Sequence, residues 1–139
     1  MDELILLDTH IWIWLVNDDK KIHSPKFLSR VNHAASKGAI RVSIISVWEV
    51  AVLEAKGRIV LPYSVLEWVQ RALKAPGTML EPLTPEVAIN STKIGPDFHE
   101  DPADRILVAT AKSLGAALAT CDARILSYSK EHSLPTLTV

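Results

Sequence analysis

The feature that most constrains this 139-residue sequence is the stretch 3–10, in which four consecutive apolar residues run into a polar triplet, Asp8, Thr9 and His10. A run this short and apolar on both faces predicts a strand buried in the middle of a parallel sheet. Because an unpaired charge at the mouth of a core is costly, we expect Asp8 to face a cleft that holds a cation or a basic partner. Ligands of open α/β sheets bind at this carboxyl end of the strands. A cap on the following helix is the alternative role for Asp8.

Size and composition predict one soluble globular domain over residues 1–139. Apolar residues make up 48% and charged residues 22%, which indicates neither disorder nor a membrane span. The N-terminal residues lack the basic flank and cleavage site of a signal peptide. The lone Cys121 excludes an intramolecular disulfide and a multi-cysteine zinc site. We therefore expect a cytoplasmic protein with no membrane partner. Its formal charge of −1 means that a polyanion would need a local basic patch or a bound metal.

Short apolar runs alternate with stretches of helical periodicity along the whole sequence. The pattern predicts strands over residues 4–7, 40–45, 79–83 and 116–120, and helices over 11–16, 25–37, 46–56, 62–75, 85–94, 102–114 and 124–128. Strands that alternate with helices at this spacing favour a parallel sheet with helices on both faces. The predicted fold class is therefore α/β.

Four carboxylates fall where they can converge on one edge of such a sheet. Asp8 and Asp122 follow strand ends, whereas Glu49 and Asp104 lie in the first turns of helices, above apolar residues that face the core. Each also has an ordinary structural alternative, since Ser46 and Glu49 fit a capping box and Asp122 can cap a turn. For Asp101 we expect the structural role, as the cap of a helix that begins at Pro102.

Carboxylates gathered in this way would raise one another's pKa unless cations neutralise them. Oxygen ligands suit Mg²⁺ or Mn²⁺, and no His or Cys is placed to favour zinc. His10 and His99 are candidates for the outer shell, although packed or solvated histidines are the simpler interpretation. An acidic site that holds such a metal performs phosphoryl chemistry, because the metal lowers the pKa of a bound water and stabilises the charge on the phosphate. The pattern thus predicts phosphodiester hydrolysis.

Four motifs occur in order across nearly the whole chain and carry a family resemblance. They are Leu6-Leu7-Asp8-Thr9-His10, Ser46-x-Trp48-Glu49, Asp101-Pro102-Ala103-Asp104-Arg105 and Thr120-Cys121-Asp122. With them the sequence resembles the PIN-domain ribonucleases, and within these the VapC-like toxins of type II toxin-antitoxin pairs. The resemblance implies a single three-layer α/β/α PIN-like domain with a central parallel sheet. It also implies an Mg²⁺ site, in which Mn²⁺ can substitute, and endonucleolytic cleavage of RNA by a metal-activated water.

The same resemblance assigns roles to individual residues. The metal-binding and catalytic acids fall on Asp8, Glu49, Asp104 and Asp122. Thr9 is the hydroxyl residue that follows the first acid, and we expect it and Arg105 to contact the substrate. Ala103 departs from the family pattern, since relatives often have an aromatic residue there. The resemblance further implies a homodimer, and a cognate antitoxin that inserts a helix and a basic side chain into each acidic site.

Two other functions stay open at this point. A receiver-type phosphoacceptor domain also gathers acids at strand ends, but it needs a lysine where this chain offers Thr120 and Cys121. A nuclease-dead interaction module of the same fold is the other alternative, although the presence of all four acids argues against it. For RNA binding we expect Lys56 and Arg58 to join Arg105 in contacting phosphates. Apolar helices and the Trp12 to Trp14 segment favour self-association and a groove for a partner helix.

Overall fold

The first strand, β1 (Ile5–Leu7), is completely surrounded by the rest of the chain in the computed structural model, which describes residues 3–139. Ile5 and Leu6 have no exposed surface, and Leu7 has 3%. Because successive side chains of a strand point to opposite faces, Ile5 and Leu7 pack into one core and Leu6 into another. The predicted central position of this strand is thereby confirmed.

The sheet is parallel throughout, with β1 between two later strands. Residues 3–139 contribute β1, β2 (Ile40–Ser43), β3 (Thr78–Glu81), β4 (Ala117–Ala119) and β5 (Thr136–Leu137), in the spatial order β3-β2-β1-β4-β5. Leu6 lies opposite Arg41 on one side and Leu118 on the other. The strand order reverses around β1, so the carboxyl end of β1 marks the crevice where ligands of such sheets bind.

Helices cover both faces of this sheet. They are α1 (Thr9–Val16), α2 (Pro25–Ser36), α3 (Ile44–Ala55), α4 (Val65–Leu73), α5 (Pro85–Ser91), α6 (Pro102–Leu114) and α7 (Ala123–His132), with a 3-10 turn at Lys20–Ile22. Buried residues of α1 to α4 form one core, and those of α6 and α7 form the other. The predicted three-layer α/β/α architecture is confirmed.

Helix α6 begins and ends where the sequence predicts. The Asp101 side chain caps it by accepting a 2.9 Å hydrogen bond from the amide of Ala103, and Pro102 occupies the first turn. Gly115 ends the helix in the left-handed conformation, at φ 64°. A cap of this kind stabilises a helix by about 1 kcal/mol. The same ends fix the position of Asp104 in the first turn.

Helix α3 begins two residues earlier than predicted, and the capping box assigned to Ser46 is wrong. The chain passes from β2 into α3 with no intervening loop, so the earlier Ser43 becomes the cap and accepts from the amide of Ile45 at 3.1 Å. Ser46 is fully buried inside the first turn instead. The side chain of Glu49 is therefore available for a contact outside its own helix.

Trp12 is part of the core rather than of an exposed surface. It is 2% exposed, and its ring meets that of Trp68 edge-on at a centroid distance of 5.0 Å. The indole nitrogen of Trp68 donates to the side chain of Asn17 at 3.1 Å. Trp12 therefore adds no surface for self-association. Among residues 3–139, no helix has the length and apolar character that crossing a bilayer requires.

Candidate metal centre

Asp8 lies directly after β1 and is held from two sides. Its Oδ1 accepts from the amide of Thr9 at 2.7 Å, which caps α1, and its Oδ2 accepts from the hydroxyl of Thr120 at 2.7 Å. Only 7% of Asp8 is exposed. Burial raises the pKa of this carboxyl, whereas the hydrogen bonds from Thr120 and Thr9 act to lower it. Asp8 is thus both a helix cap and an oriented carboxylate.

Glu49 is held near Asp8 by a hydrogen bond from Thr9, the residue that follows Asp8. The Thr9 hydroxyl donates to Oε1 of Glu49 at 2.5 Å and lies 2.8 Å from the hydroxyl oxygen of Ser46. Thr9 is 1% exposed, so its hydroxyl is committed to these two side chains. In the structure Thr9 therefore positions Glu49, and its contact with the substrate stays a prediction. Burial raises the pKa of Glu49, with a further contribution from the charge of Asp8.

Asp104 has a carboxyl whose pKa is strongly raised. It is 8% exposed, and burial together with neighbouring negative charge raises its pKa to about 7. The carboxylates that raise it are those of Asp101, Asp8, Asp122 and Glu49, in order of decreasing effect. Because these interactions weaken with distance, the acids predicted from separate segments of the sequence lie close together in the fold.

Asp122 caps α7 and contributes a partly exposed carboxylate. Its Oδ1 accepts from the amides of Arg124 at 2.9 Å and Ile125 at 3.1 Å. Its Oδ2 lies 3.7 Å from Nη2 of Arg124. Its own amide donates to the Thr120 hydroxyl at 3.0 Å, so Thr120 connects the backbone at Asp122 to the side chain of Asp8.

The four predicted acids line one cleft of about 360 Å³ at the carboxyl end of β1. The residues around it are Asp8, His10, Ile11, Trp14, Glu49, Asp101, Asp104, Cys121, Asp122 and Arg124. Asp101 lines this cleft in addition to capping α6. Arg124 brings a guanidinium to the rim of this acidic cleft, a position that the sequence pattern did not reveal.

His99 belongs to the same cluster, although the sequence pattern gave it a minor place. Its Nε2 lies 3.0 Å from Oδ2 of Asp104, and it groups with carboxylate oxygens of Asp104 and Asp122 that all lie within 4.8 Å of one another. Burial lowers the pKa of His99, and the charge of Arg124 acts in the same direction, which favours the neutral ring. Among the described residues, the buried Nε2 finds no hydrogen-bond partner.

The structure gives Arg105 a structural role, whereas its contact with substrate phosphate stays a prediction. Its guanidinium donates to four backbone carbonyls of the segment before α6. These belong to Ser91 at 3.3 Å, Gly95 at 3.0 Å, Phe98 at 3.0 Å and His99 at 2.9 Å. These bonds use four of the five N–H groups of the guanidinium. Arg105 thereby holds the loop that carries His99 against the start of α6.

The chemistry of the cleft fits a divalent cation. Burial and the negative charge of neighbouring carboxylates raise the pKa values of Asp8, Glu49 and Asp104, so a cation that neutralises these acids would relieve an electrostatic cost. Carboxylate oxygens are the donors that Mg²⁺ and Mn²⁺ prefer. A buried ring nitrogen that has no hydrogen-bond partner in the described part of the chain is a further donor.

A groove of about 500 Å³ continues from the cleft between α3 and the start of α6. Its lining consists of Ile45, Trp48, Glu49, Val52, Leu53, Lys56, Arg58, Asp101, Pro102 and Ala103. Glu49 and Asp101 line both the cleft and the groove. The groove therefore leads from the acidic centre along an apolar floor, with Trp48 58% exposed beside it, to the cations Lys56 and Arg58.

Comparisons with known proteins agree with this architecture. The family model of the PIN domain matches residues 5–131. Ribonuclease VapC22 of Mycobacterium tuberculosis is 33% identical over 124 residues, which is 89% of this chain and 91% of that protein.

Solved structures share the fold. A chain of the DNA-bound VapBC complex from Salmonella typhimurium has a TM-score of 0.69 at 16% identity, with 98% of each chain covered. A chain of VapBC2 from Rickettsia felis, bound to a promoter DNA fragment, has a TM-score of 0.70 at 12% identity, with 97% of this chain and 98% of that chain covered. From its sequence and its fold together, the chain belongs to the PIN-domain family and, within it, to the VapC-like proteins.

Proposed function

We propose that this protein is an Mg²⁺-dependent endoribonuclease, with Mn²⁺ able to substitute, and that it acts as the toxin of a type II toxin-antitoxin pair. One observation carries the proposal: Asp8, Glu49, Asp104 and Asp122, from four separate segments, line a single cleft. The name of the 33% identical relative, a ribonuclease, supports RNA as the substrate.

The proposed cation is held by Asp8, Glu49, Asp104 and Asp122. When bound, such a cation supplies positive charge for the scissile phosphate and lowers the pKa of a water molecule. The Thr120 and Thr9 hydroxyls fix the carboxylates of Asp8 and Glu49, so these acids are oriented before any substrate arrives.

Substrate binding is proposed to use cations on both sides of the acidic cleft. Arg124 lines the cleft itself, with 62% of its side chain exposed, and it joins Arg105 as a candidate for phosphate binding. Lys56 and Arg58 lie at the far end of the groove. Phosphate contacts at these points would hold a polyanion despite the formal charge of −1. The RNA strand would then extend from the cleft along α3.

A cognate antitoxin and a second copy of the chain are the proposed protein partners. The structural relatives described above are chains of VapBC complexes, which supports a protein partner for this chain as well. Exposed apolar side chains beside and on α4 support self-association, with Val60 91% and Leu66 67% exposed. A basic antitoxin side chain among the acids would compete with the cation, so inhibition should weaken as metal concentration rises.

The alternatives have less support. A receiver-type domain needs a lysine beside its acids, and the side chains that line the cleft among residues 3–139 include none. A nuclease-dead module would have no need for the hydrogen bonds that Thr9 and Thr120 make to the acids. Cleavage assays separate this alternative from the nuclease.

The test is cleavage of a labelled single-stranded RNA by the purified protein with Mg²⁺, with Mn²⁺ or with a chelator. We expect metal-dependent cleavage that is lost in Asp8→Asn and in Asp104→Asn, both of which leave the fold intact. Asp18→Asn is the matched control, because Asp18 is exposed and, among residues 3–139, its carboxylate pairs with His23 alone. Equal cleavage by wild type and both cleft variants, in preparations free of contaminating ribonuclease, would refute the nuclease assignment.

A further inference from the structure

We propose that His99 is a ligand of the metal centre, which makes the site a mixed nitrogen and oxygen site and gives it a preference for Mn²⁺ over Mg²⁺. This inference rests on the proposed metal dependence of the protein. It extends the set of acids by a residue from the loop between α5 and α6.

The spacing of the donor atoms is that of neighbouring ligands around one ion. Nε2 of His99 and Oδ2 of Asp104 are 3.0 Å apart, and a carboxylate oxygen of Asp122 lies within 4.8 Å of both. Adjacent ligands of an octahedral cation with bonds of ~2.1 Å lie ~3.0 Å from each other. The three atoms thus occupy positions that a single small cation can reach.

The lack of a hydrogen bond between Nε2 of His99 and Oδ2 of Asp104 agrees with this interpretation. At 3.0 Å, a histidine and a carboxylate would ordinarily form a hydrogen bond, yet Nε2 of His99 makes none within residues 3–139. A buried polar atom without a partner is costly, and such atoms in native structures frequently mark an ion or a functional role. A cation in contact with both atoms would satisfy the ring nitrogen and the carboxylate together.

The ring is held in place by contacts on its other sides. The Phe98 ring packs against it at a centroid distance of 4.4 Å, and Arg105 binds the carbonyl oxygen of His99 itself. The amide of Asp101 donates to Nδ1 across a long 3.4 Å contact. Coordination through Nε2 puts the ring proton on Nδ1, so only this weak contact is given up. The pre-set orientation limits the entropy lost when a cation binds.

The consequence is a change of metal preference. Imidazole nitrogen is a better ligand for Mn²⁺ and later transition metals than for Mg²⁺, which prefers oxygen and water. A His99→Gln variant should therefore bind Mn²⁺ about tenfold more weakly while its Mg²⁺ affinity changes much less. His10 lines the same cleft, but it stands outside the group formed by His99, Asp104 and Asp122, which makes His10→Gln the matched control.

The deciding experiment measures Mn²⁺ in the protein directly, by titration and by electron spin echo spectroscopy, which detects the nitrogen of a coordinated imidazole. We expect a nitrogen coupling in wild type and in His10→Gln that is absent from His99→Gln. Absence of this coupling in wild type, its persistence in His99→Gln, or its loss in His10→Gln would overturn the assignment. If His99→Gln fails to fold, His10→Gln and His132→Gln replace it, because His132 stands with Asp97 and Glu131 in another group of side chains that can hold a metal. A coupling that persists in both variants comes from neither histidine and supports His99, whereas its loss in either variant overturns the assignment.

The outcome is separable from the proposed nuclease function. Mg²⁺-supported RNA cleavage by a wild-type protein whose Mn²⁺ spectrum lacks nitrogen would refute the role of His99 alone. A nitrogen-coordinated Mn²⁺ in a protein that cleaves no RNA would refute the nuclease and retain the ligand.

Discussion

The hydroxyl of Thr120 donates a 2.7 Å hydrogen bond to the carboxylate of Asp8, a residue 112 positions earlier in the chain. Both residues follow neighbouring parallel strands, β1 and β4, which run in register. The bond is buried, and the same hydroxyl accepts from the amide of Asp122. One small side chain therefore fixes the distance between the central acid and the segment that carries the last acid.

We expect Thr120→Val to weaken metal binding by about 10- to 100-fold, the usual effect of losing a group that orients a ligand. Valine keeps the shape of threonine but leaves Asp8 without the donor. Thr120→Ser retains the hydroxyl and should stay within about threefold of wild type. Calorimetric titration with Mn²⁺ measures both, and equal affinities for the Val and Ser variants would show that the bond does not position Asp8.

Thr9→Val should act in the same way on Glu49. The variant removes the donor to Oε1 and the contact with Ser46, while the β-branched shape preserves packing at the start of α1. We expect metal affinity to fall by roughly tenfold, with Thr9→Ser as the control. If Thr9→Val instead leaves metal affinity unchanged and reduces only RNA affinity, the original expectation of a substrate contact is correct.

The raised pKa of Asp104 predicts a pH dependence of stability in the metal-free protein. Between the ordinary value of 3.8 and its value of about 7, the folded protein keeps a proton that the unfolded chain has released. The free energy of unfolding therefore falls as pH rises through this window. Urea unfolding should show Asp104→Asn to be more stable than wild type at about pH 8, by on the order of 2 kcal/mol.

Added Mg²⁺ or Mn²⁺ reverses this penalty because the cation binds the deprotonated carboxylate. The metal-induced rise in unfolding temperature should be larger at about pH 8 than at about pH 5.5. Asp18→Asn should reproduce the wild-type behaviour in both conditions. A metal-free protein that gains stability on going from the lower to the higher pH would contradict the role assigned to Asp104.

Arg105→Lys should lower the free energy of unfolding by about 1–3 kcal/mol, because lysine cannot reach the four carbonyls that the guanidinium binds. Arg71→Lys is the control, since Arg71 is exposed and lysine can keep both its 3.3 Å pair with Glu67 and its place over the ring of Tyr63. That change should cost less than about 0.5 kcal/mol. Unaltered stability of Arg105→Lys together with a loss of RNA binding would support the phosphate-binding role.

Replacing Lys56 and Arg58 by alanine should reduce the salt dependence of RNA binding. Each lost phosphate contact lowers the slope of log affinity against log salt by ~0.7 for a single strand. The Asp8→Asn background prevents cleavage during the measurement, and replacement of the exposed Lys26 of α2 by alanine is the matched control. A slope that stays the same in the double variant would place the RNA elsewhere.

The sequence predicted the α/β fold and the acids of the cleft because both depend on local pattern. A short apolar run defines β1, and strand ends or helix starts define where Asp8, Glu49, Asp104 and Asp122 stand. The helix that carries Glu49 was misplaced by two residues since Ser43 and Ser46 are both adequate caps. Only the direct passage from β2 into α3 decides between them.

The contacts that complete the site depend on residues far apart in the chain, and no spacing rule reveals them. Thr120 reaches Asp8 through strand pairing, and His99 reaches Asp104 through a loop that Arg105 holds by its carbonyls. The backbone contacts of Arg105 were not foreseen, because a basic residue beside an acid of the cleft looks the same in sequence whether it binds phosphate or backbone. Its four acceptors exist only in the folded loop.

The strand order also determines how late in synthesis the acidic cleft can form. β1 leaves the ribosome first, yet one of its two neighbours in the sheet is β4, near the end of the chain. A growing polypeptide therefore carries Asp8 and Glu49 without Asp104, Asp122 or the Thr120 hydroxyl. For the proposed metal-dependent ribonuclease, this order means that the acidic cleft is completed when synthesis is nearly finished.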